Sequence, residues 1–150
     1  MASQSPLTVT PSTTSAINRQ VLKVSPETPV ADVIRQMSRG SGSLRASCAV
    51  VVDPSESVLG IVTERDIVNL AAKQQKETQS LAMIPVSTLM TAPVKTLEMA
   101  AFQDIFAVLF LFRRYRIRHL PIVDADNQLV GVVTPASIRK VLKPANLLKM

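Results

Sequence analysis

Two stretches of this chain, LGIVTERDIVNLAA from Leu59 and LVGVVTPASIRKVL from Leu129, follow one pattern: apolar strand, glycine, two apolar residues, threonine, helix. Gly60 matches Gly131, Asp53 matches Asp124 and Thr63 matches Thr134, all at an offset of 71 (131 minus 60). Upstream, Asp32 matches Asp104 at 72 (104 minus 32), so one residue has entered or left a loop. A chain of 150 residues written twice has room for two half-size units sharing a core. Each copy would expose an apolar sheet face, and packing those faces together makes a core that neither copy makes alone.

Residues 1–16 are rich in Ser, Thr and Pro and carry no charged side chain, so they are expected to form a disordered tail. Thr28 and Pro29 read as an N-cap followed by proline at the first helical position, with Val30, Val33, Ile34 and Met37 at helical spacing. That helix should end at SRGSGS; strands follow at Ala49–Asp53 and Val58–Val62, with a second helix after Thr63. The second copy repeats this order: an extended Pro93–Leu97, a helix over AAFQDIFAVLFLFRRY, strands at Leu120–Val123 and Leu129–Val133, and a closing helix over PASIRKVL. The fold class is therefore α+β, made of two βαββα repeats. Their expected limits are 17–76 and 85–143, with a linker at 77–84 and an extension at 144–150.

Composition narrows the function classes. The 47% apolar content is ordinary for a globular chain, and no run of eighteen apolar residues is present to span a bilayer. The N-terminus lacks the basic start and apolar run of a secretory signal, and the single Cys48 cannot build a disulfide framework. A cytoplasmic location follows as the default. The net charge of +6 is densest in RRYRIRH, Arg113 to His119, where Tyr115 is the only aromatic. A nucleic-acid groove binder would spread its cations along a face or interleave them with exposed aromatics, so nucleic acid is not the expected partner. A short basic cluster leading into a strand suits one small anion better. His119 is the only histidine and has no second ligand at metal spacing, and Cys48 has no partner histidine in its own segment. Neither a metal site nor catalysis is expected; the chain reads as a non-enzyme with no catalytic residues.

The order, spacing and duplication of VSTLMTAPV, RIRHLPIVD and GIVTERDI resemble a tandem pair of cystathionine-beta-synthase (CBS) domains, the regulatory Bateman module, over about Ile17 to Leu142. The resemblance implies two repeats related by a pseudo-twofold and packed through their sheets, binding an adenosyl compound between them, usually as a homodimer. Ile61, Thr63 and Asp66 would serve one site. The second copy would complete it, with Val94, Lys95, Thr96 and Ile117 around the base and Arg118 and His119 at the phosphates. A weaker second site would use Thr134 and Ser137 with Lys23 and Val50. Here the sequence departs from the family, having Val50 where the second copy has Pro121. AMP, ADP or ATP is the implied regulatory ligand, with no cofactor required.

Thr63 and Asp66 carry a chemical rationale of their own. A strand-to-helix turn presents free backbone N–H groups that attract phosphate, and the carboxylate of Asp66 matches a ribose cis-diol. The same letters also spell a helix cap, Thr63 capping and Asp66 answering the dipole. In the second copy Thr134-Pro135-Ala136-Ser137 keeps the cap and replaces the carboxylate with a hydroxyl, so one strong and one weak site are expected. The helix carrying Phe102, Ile105, Phe106, Leu109, Phe110 and Phe112 is apolar on nearly every face, which suggests a self-association surface; the plain alternative is a broad core helix under the sheet. The ending KPANLLKM reads as a chain cut within a longer protein. The Ser/Thr-rich start together with RRYRIRHLPIVD and TPASIRKVLKPANLLK is similar to the N-terminal sensory modules of large bacterial, particularly cyanobacterial, signalling kinases, which implies a linked effector domain. The alternative reading is a ligand-free dimerisation scaffold.

Overall fold

A computed structural model describes residues 14–39, 46–74 and 80–142. The tail expectation at 1–13, the end of the first helix at 40–45, the end of the first repeat at 75–76, the start of the linker at 77–79 and the extension at 144–150 lie outside the described residues. The chain forms two compact units. One spans Gln20–Val94; the other joins the described residues 14–19 to 95–142. The units therefore cut the chain differently from the sequence copies: the segment entering each copy belongs to the unit built by the other copy's hairpin.

The unit of residues 20–94 contains β1 (Leu22–Val24), α1 (Val30–Arg39), β2 (Cys48–Val52), β3 (Val58–Thr63) and α2 (Glu64–Gln74). Its sheet has the order β1-β2-β3, with β1 parallel and β3 antiparallel to β2. Val24, Val33, Met37, Ala49, Val51, Val62 and Val86 form its core. Alternate residues of β2 thus pack against α1, as a period-2 strand requires. The expected cap is not where the sequence put it. The Thr28 hydroxyl faces back to Ser25, 3.0 Å from its hydroxyl, and Pro29 precedes the helix with its carbonyl accepting from the Val33 amide.

The other unit contains β4 (Leu97–Glu98), α3 (Ile105–Tyr115), β5 (Leu120–Val123), β6 (Leu129–Val133) and α4 (Pro135–Val141), with sheet order β4-β5-β6. Ala16, expected in the loose tail, is instead fully buried with Ile17 in this unit's core, beside Phe102, Val108, Phe112, Leu120, Ile122, Val133 and Ile138. The expected helix over residues 100–115 begins later, at Ile105. Asp104 caps it by accepting from the Phe106 amide at 2.8 Å, and Met99–Ala101 form a separate 3-10 turn. At its far end Arg116 adopts φ 53°, a left-handed cap normally given to glycine.

The two hairpins are copies down to their turns. Asp53 Oδ1 accepts from the Ser55 and Ser57 amides, and Asp124 Oδ1 from the Asp126 and Gln128 amides. Glu56 and Asn127 occupy the matching left-handed positions, at φ 70° and 63°. The Ser55 hydroxyl, then the Ser57 amide, hold the Asp53 carboxyl below the usual carboxylate range.

Candidate functional site

The glycines of the repeated motif are explained by close approach of the chain itself. Ile61 and Thr91 exchange both backbone hydrogen bonds, at 3.1 and 2.8 Å, and Asn18 and Val132 do the same at 2.9 Å each way. A Cβ at Gly60 would lie 2.7 Å from Met90 Sδ and 2.9 Å from the Thr91 carbonyl oxygen. A Cβ at Gly131 would lie 2.5 Å from the Asn18 carbonyl oxygen. Each entering segment thus crosses the second hairpin strand at its glycine.

Thr63 and Asp66 meet at the start of α2. Asp66 Oδ2 accepts from the Thr63 amide at 2.8 Å and from its hydroxyl at 3.2 Å. Oδ1 has no partner among the described residues, so one acceptor oxygen remains for a ligand. Glu64 and Asp66 put two carboxylates in the first turn of α2, where they answer the helix dipole. Ile61 is buried with its amide and carbonyl both paired to Thr91, leaving little surface for a base.

In the second copy, Thr134 and Ser137 form a closed capping box. The Ser137 amide donates to Thr134 Oγ1 at 3.0 Å, and Ser137 Oγ accepts from the Thr134 amide and donates to its carbonyl, both at 2.9 Å. This hydroxyl is consumed locally, whereas Asp66 has an oxygen to spare. Lys23 pairs with Glu56 at 2.8 Å, and Val50, opposite Lys23 in the sheet register, is fully buried. The Val50 side chain is thus in the core, while Lys23 and Glu56 stay partly exposed, at 41% and 50%.

Around β4 and β5 lie the remaining expected residues. Thr96 and Arg118 are exposed, Val94, Ile117 and His119 half-buried, and Ile117 packs on the core. Lys95 Nζ sits 4.4 Å from the centroid of the Tyr115 ring. Among the described residues, none of Lys95, Arg113, Arg114, Arg116 and Arg118 forms an ion pair; those present are Lys23–Glu56 and Arg35–Asp32. Sequence reasoning missed two partners, Glu56 and Tyr115. Sliding the copies at offset 71 would have flagged Glu56, because it stands against the neutral Asn127. Nothing in the pattern marked Tyr115.

Among the described residues, no cluster of three or more His, Cys, Asp or Glu could hold a metal ion, and no helix is long and apolar enough to cross a membrane. The family model for the CBS domain matches twice, over residues 14–73 and 86–144. This chain belongs to the CBS-domain family. An uncharacterised 17.7 kDa protein of Acidianus ambivalens is 30% identical over 124 residues, 82% of this chain and 68% of that one. An inosine-5'-monophosphate dehydrogenase of Thermoplasma acidophilum is 30% identical over 122 residues, which are 81% of this chain but 22% of the enzyme. This chain thus spans less than a quarter of that enzyme's length. Among solved structures, CBSX2 in complex with AMP has a TM-score of 0.71 at 22% identity, covering 95% of this chain and 99% of that one. A CBS domain pair in complex with 5'-methylthioadenosine and S-adenosyl-L-methionine has a TM-score of 0.70 at 18% identity, covering 85% and 96%. At these identities the two structures support the CBS-pair fold alone, and the chain is a tandem pair of CBS domains.

Proposed function

We propose that this CBS pair is a ligand-sensing regulatory module that takes an adenosyl nucleotide of the AMP, ADP or ATP class and signals to a linked effector domain. The observation that carries the reading is the spare Oδ1 of Asp66. The other oxygen is held by Thr63, so the carboxylate is fixed in orientation and still able to accept a bond from a ribose hydroxyl. Arg118 is the phosphate contact, as an exposed guanidinium outside any ion pair among the described residues. Val94, Lys95, Thr96, Ile117 and His119 are proposed as further nucleotide contacts, and Thr134 and Ser137 as weaker ones because the serine hydroxyl is already used. The AMP bound by CBSX2 supports the ligand class. A thermal-shift screen across adenosine, AMP, ADP, ATP and S-adenosylmethionine tests it. A ligand at a hundredfold its Kd should stabilise the fold by about 2.7 kcal/mol; no shift with any of them leaves the scaffold reading in its place.

The module is further proposed to act as a homodimer through α3. Phe106 and Phe110 are 68% and 63% exposed, one helical turn apart, while Phe112 is 6% exposed in the core. Two exposed phenyl rings on one face, on an element whose opposite face is already packed, are the support for self-association.

A further inference from the structure

Lysines stand at equivalent places in the two copies, Lys23 and Lys95, at the upstream offset of 72 (95 minus 23). Their surroundings differ in kind. Lys23 is neutralised by Glu56 at 2.8 Å. The counterpart of Glu56 at offset 71 is Asn127, which has no charge to offer. Lys95 instead rests over the face of Tyr115, the last residue of α3, 4.4 Å from the ring centroid. An ion pair cancels a charge; an aromatic face holds a cation in place and leaves its charge available.

The topology puts this cation beside a second one. β4 and β5 are parallel with Leu97 opposite Ile122, so both strands are entered from the same end of the sheet. Lys95 lies two residues before β4 and Arg118 two residues before β5. Two cations at the entry end of two paired strands, each outside any ion pair among the described residues, are more than a single phosphate needs. A guanidinium grips one phosphate in bidentate fashion, and an ammonium serves as a point charge for the next.

We propose that Lys95 is the residue through which this module distinguishes nucleotides by their number of phosphates, with Tyr115 as the positioning residue that holds the ammonium at that end of the strands. The proposal rests on the nucleotide reading above and deepens it. The plainer account of the same contact is a staple fixing the segment before β4 to the end of α3. That role would alter stability and leave the dependence on phosphate number untouched.

Titration calorimetry of adenosine, AMP, ADP and ATP against the wild type, Lys95→Met, Tyr115→Leu and Tyr115→Phe separates these accounts. Lys95→Met should weaken ATP at least about tenfold more than it weakens adenosine, with AMP in between. Tyr115→Leu should weaken ATP about two- to fivefold without moving adenosine, and Tyr115→Phe, which keeps the ring, should behave as wild type. Equal losses for adenosine and ATP in Lys95→Met, or a Tyr115→Leu protein that binds ATP as wild type does, would overturn the proposal while the nucleotide reading stands. A wild type that binds none of the four compounds would overturn both.

Discussion

Gly60 and Gly131 sit where the chain passes over its own hairpin, and the tightness of the two crossings differs. A Cβ at Gly60 would meet the flexible Met90 thioether first and the Thr91 carbonyl oxygen at 2.9 Å, whereas at Gly131 the backbone oxygen is nearer, at 2.5 Å, with Ile17 Cγ2 beside it at 2.6 Å. Gly60→Ala should therefore cost about 1–2 kcal/mol and Gly131→Ala about 3, as measured by urea unfolding; equal costs would show that the crossings are not rigid. Cys48 makes a second residue-level prediction. Burial in β2 pushes its thiol up to about 12 from an ordinary 9.0, so the folded state keeps the proton that the unfolded chain loses. The thiol's contribution is complete below pH 9 and is lost as pH rises from 9 toward 12. Between pH 8 and 10 stability should fall by about 1 kcal/mol more in the wild type than in Cys48→Ala. Both glycines were legible as invariants of the repeat, but what approaches them was not, because the crossing segments lie about thirty to over a hundred residues away in sequence.

At the scale of elements, the hairpins were the most legible part, since alternating apolar strands and an Asp-initiated turn are local and the second copy confirmed the first. β5 and β6 fall at Leu120–Val123 and Leu129–Val133, as read. Helix starts were less legible. Thr28 and the residues before Ile105 had acceptable capping letters or helical propensity, yet Ser25 and Asp104 decided the outcome through hydrogen bonds within a few residues. The turn ending α3 leads to a further expectation. Arg116 occupies a left-handed position that strains any side chain with a Cβ, and this turn redirects the chain from Tyr115 to Arg118. Arg116→Gly should raise stability by about 0.5–1 kcal/mol after the entropy of glycine is counted; a loss in urea unfolding would mean that the arginine side chain stabilises the turn.

For the whole molecule, two surfaces matter, the exposed phenyl rings of α3 and the carboxylate of Asp66. Phe110→Glu should abolish self-association in light scattering and leave the melting temperature close to wild type, while Phe112→Glu should unfold the unit because its ring is core. A wild type with monomer mass at micromolar concentration would dispose of the dimer. The asymmetry of the two copies could be read from sequence as Asp66 against Ser137, but not its physical basis. That basis is a spare carboxylate oxygen on one side and a hydroxyl closed into its own capping box on the other. The most direct measurement is calorimetric titration of AMP into wild type, Asp66→Ala and Ser137→Ala. The wild type should bind, Asp66→Ala should lose roughly 30- to 150-fold in affinity, equivalent to about 2–3 kcal/mol of charge-assisted bonding, and Ser137→Ala should change little. An Asp66→Ala protein that binds AMP as tightly as wild type, or a wild type that does not bind it, would contradict the account.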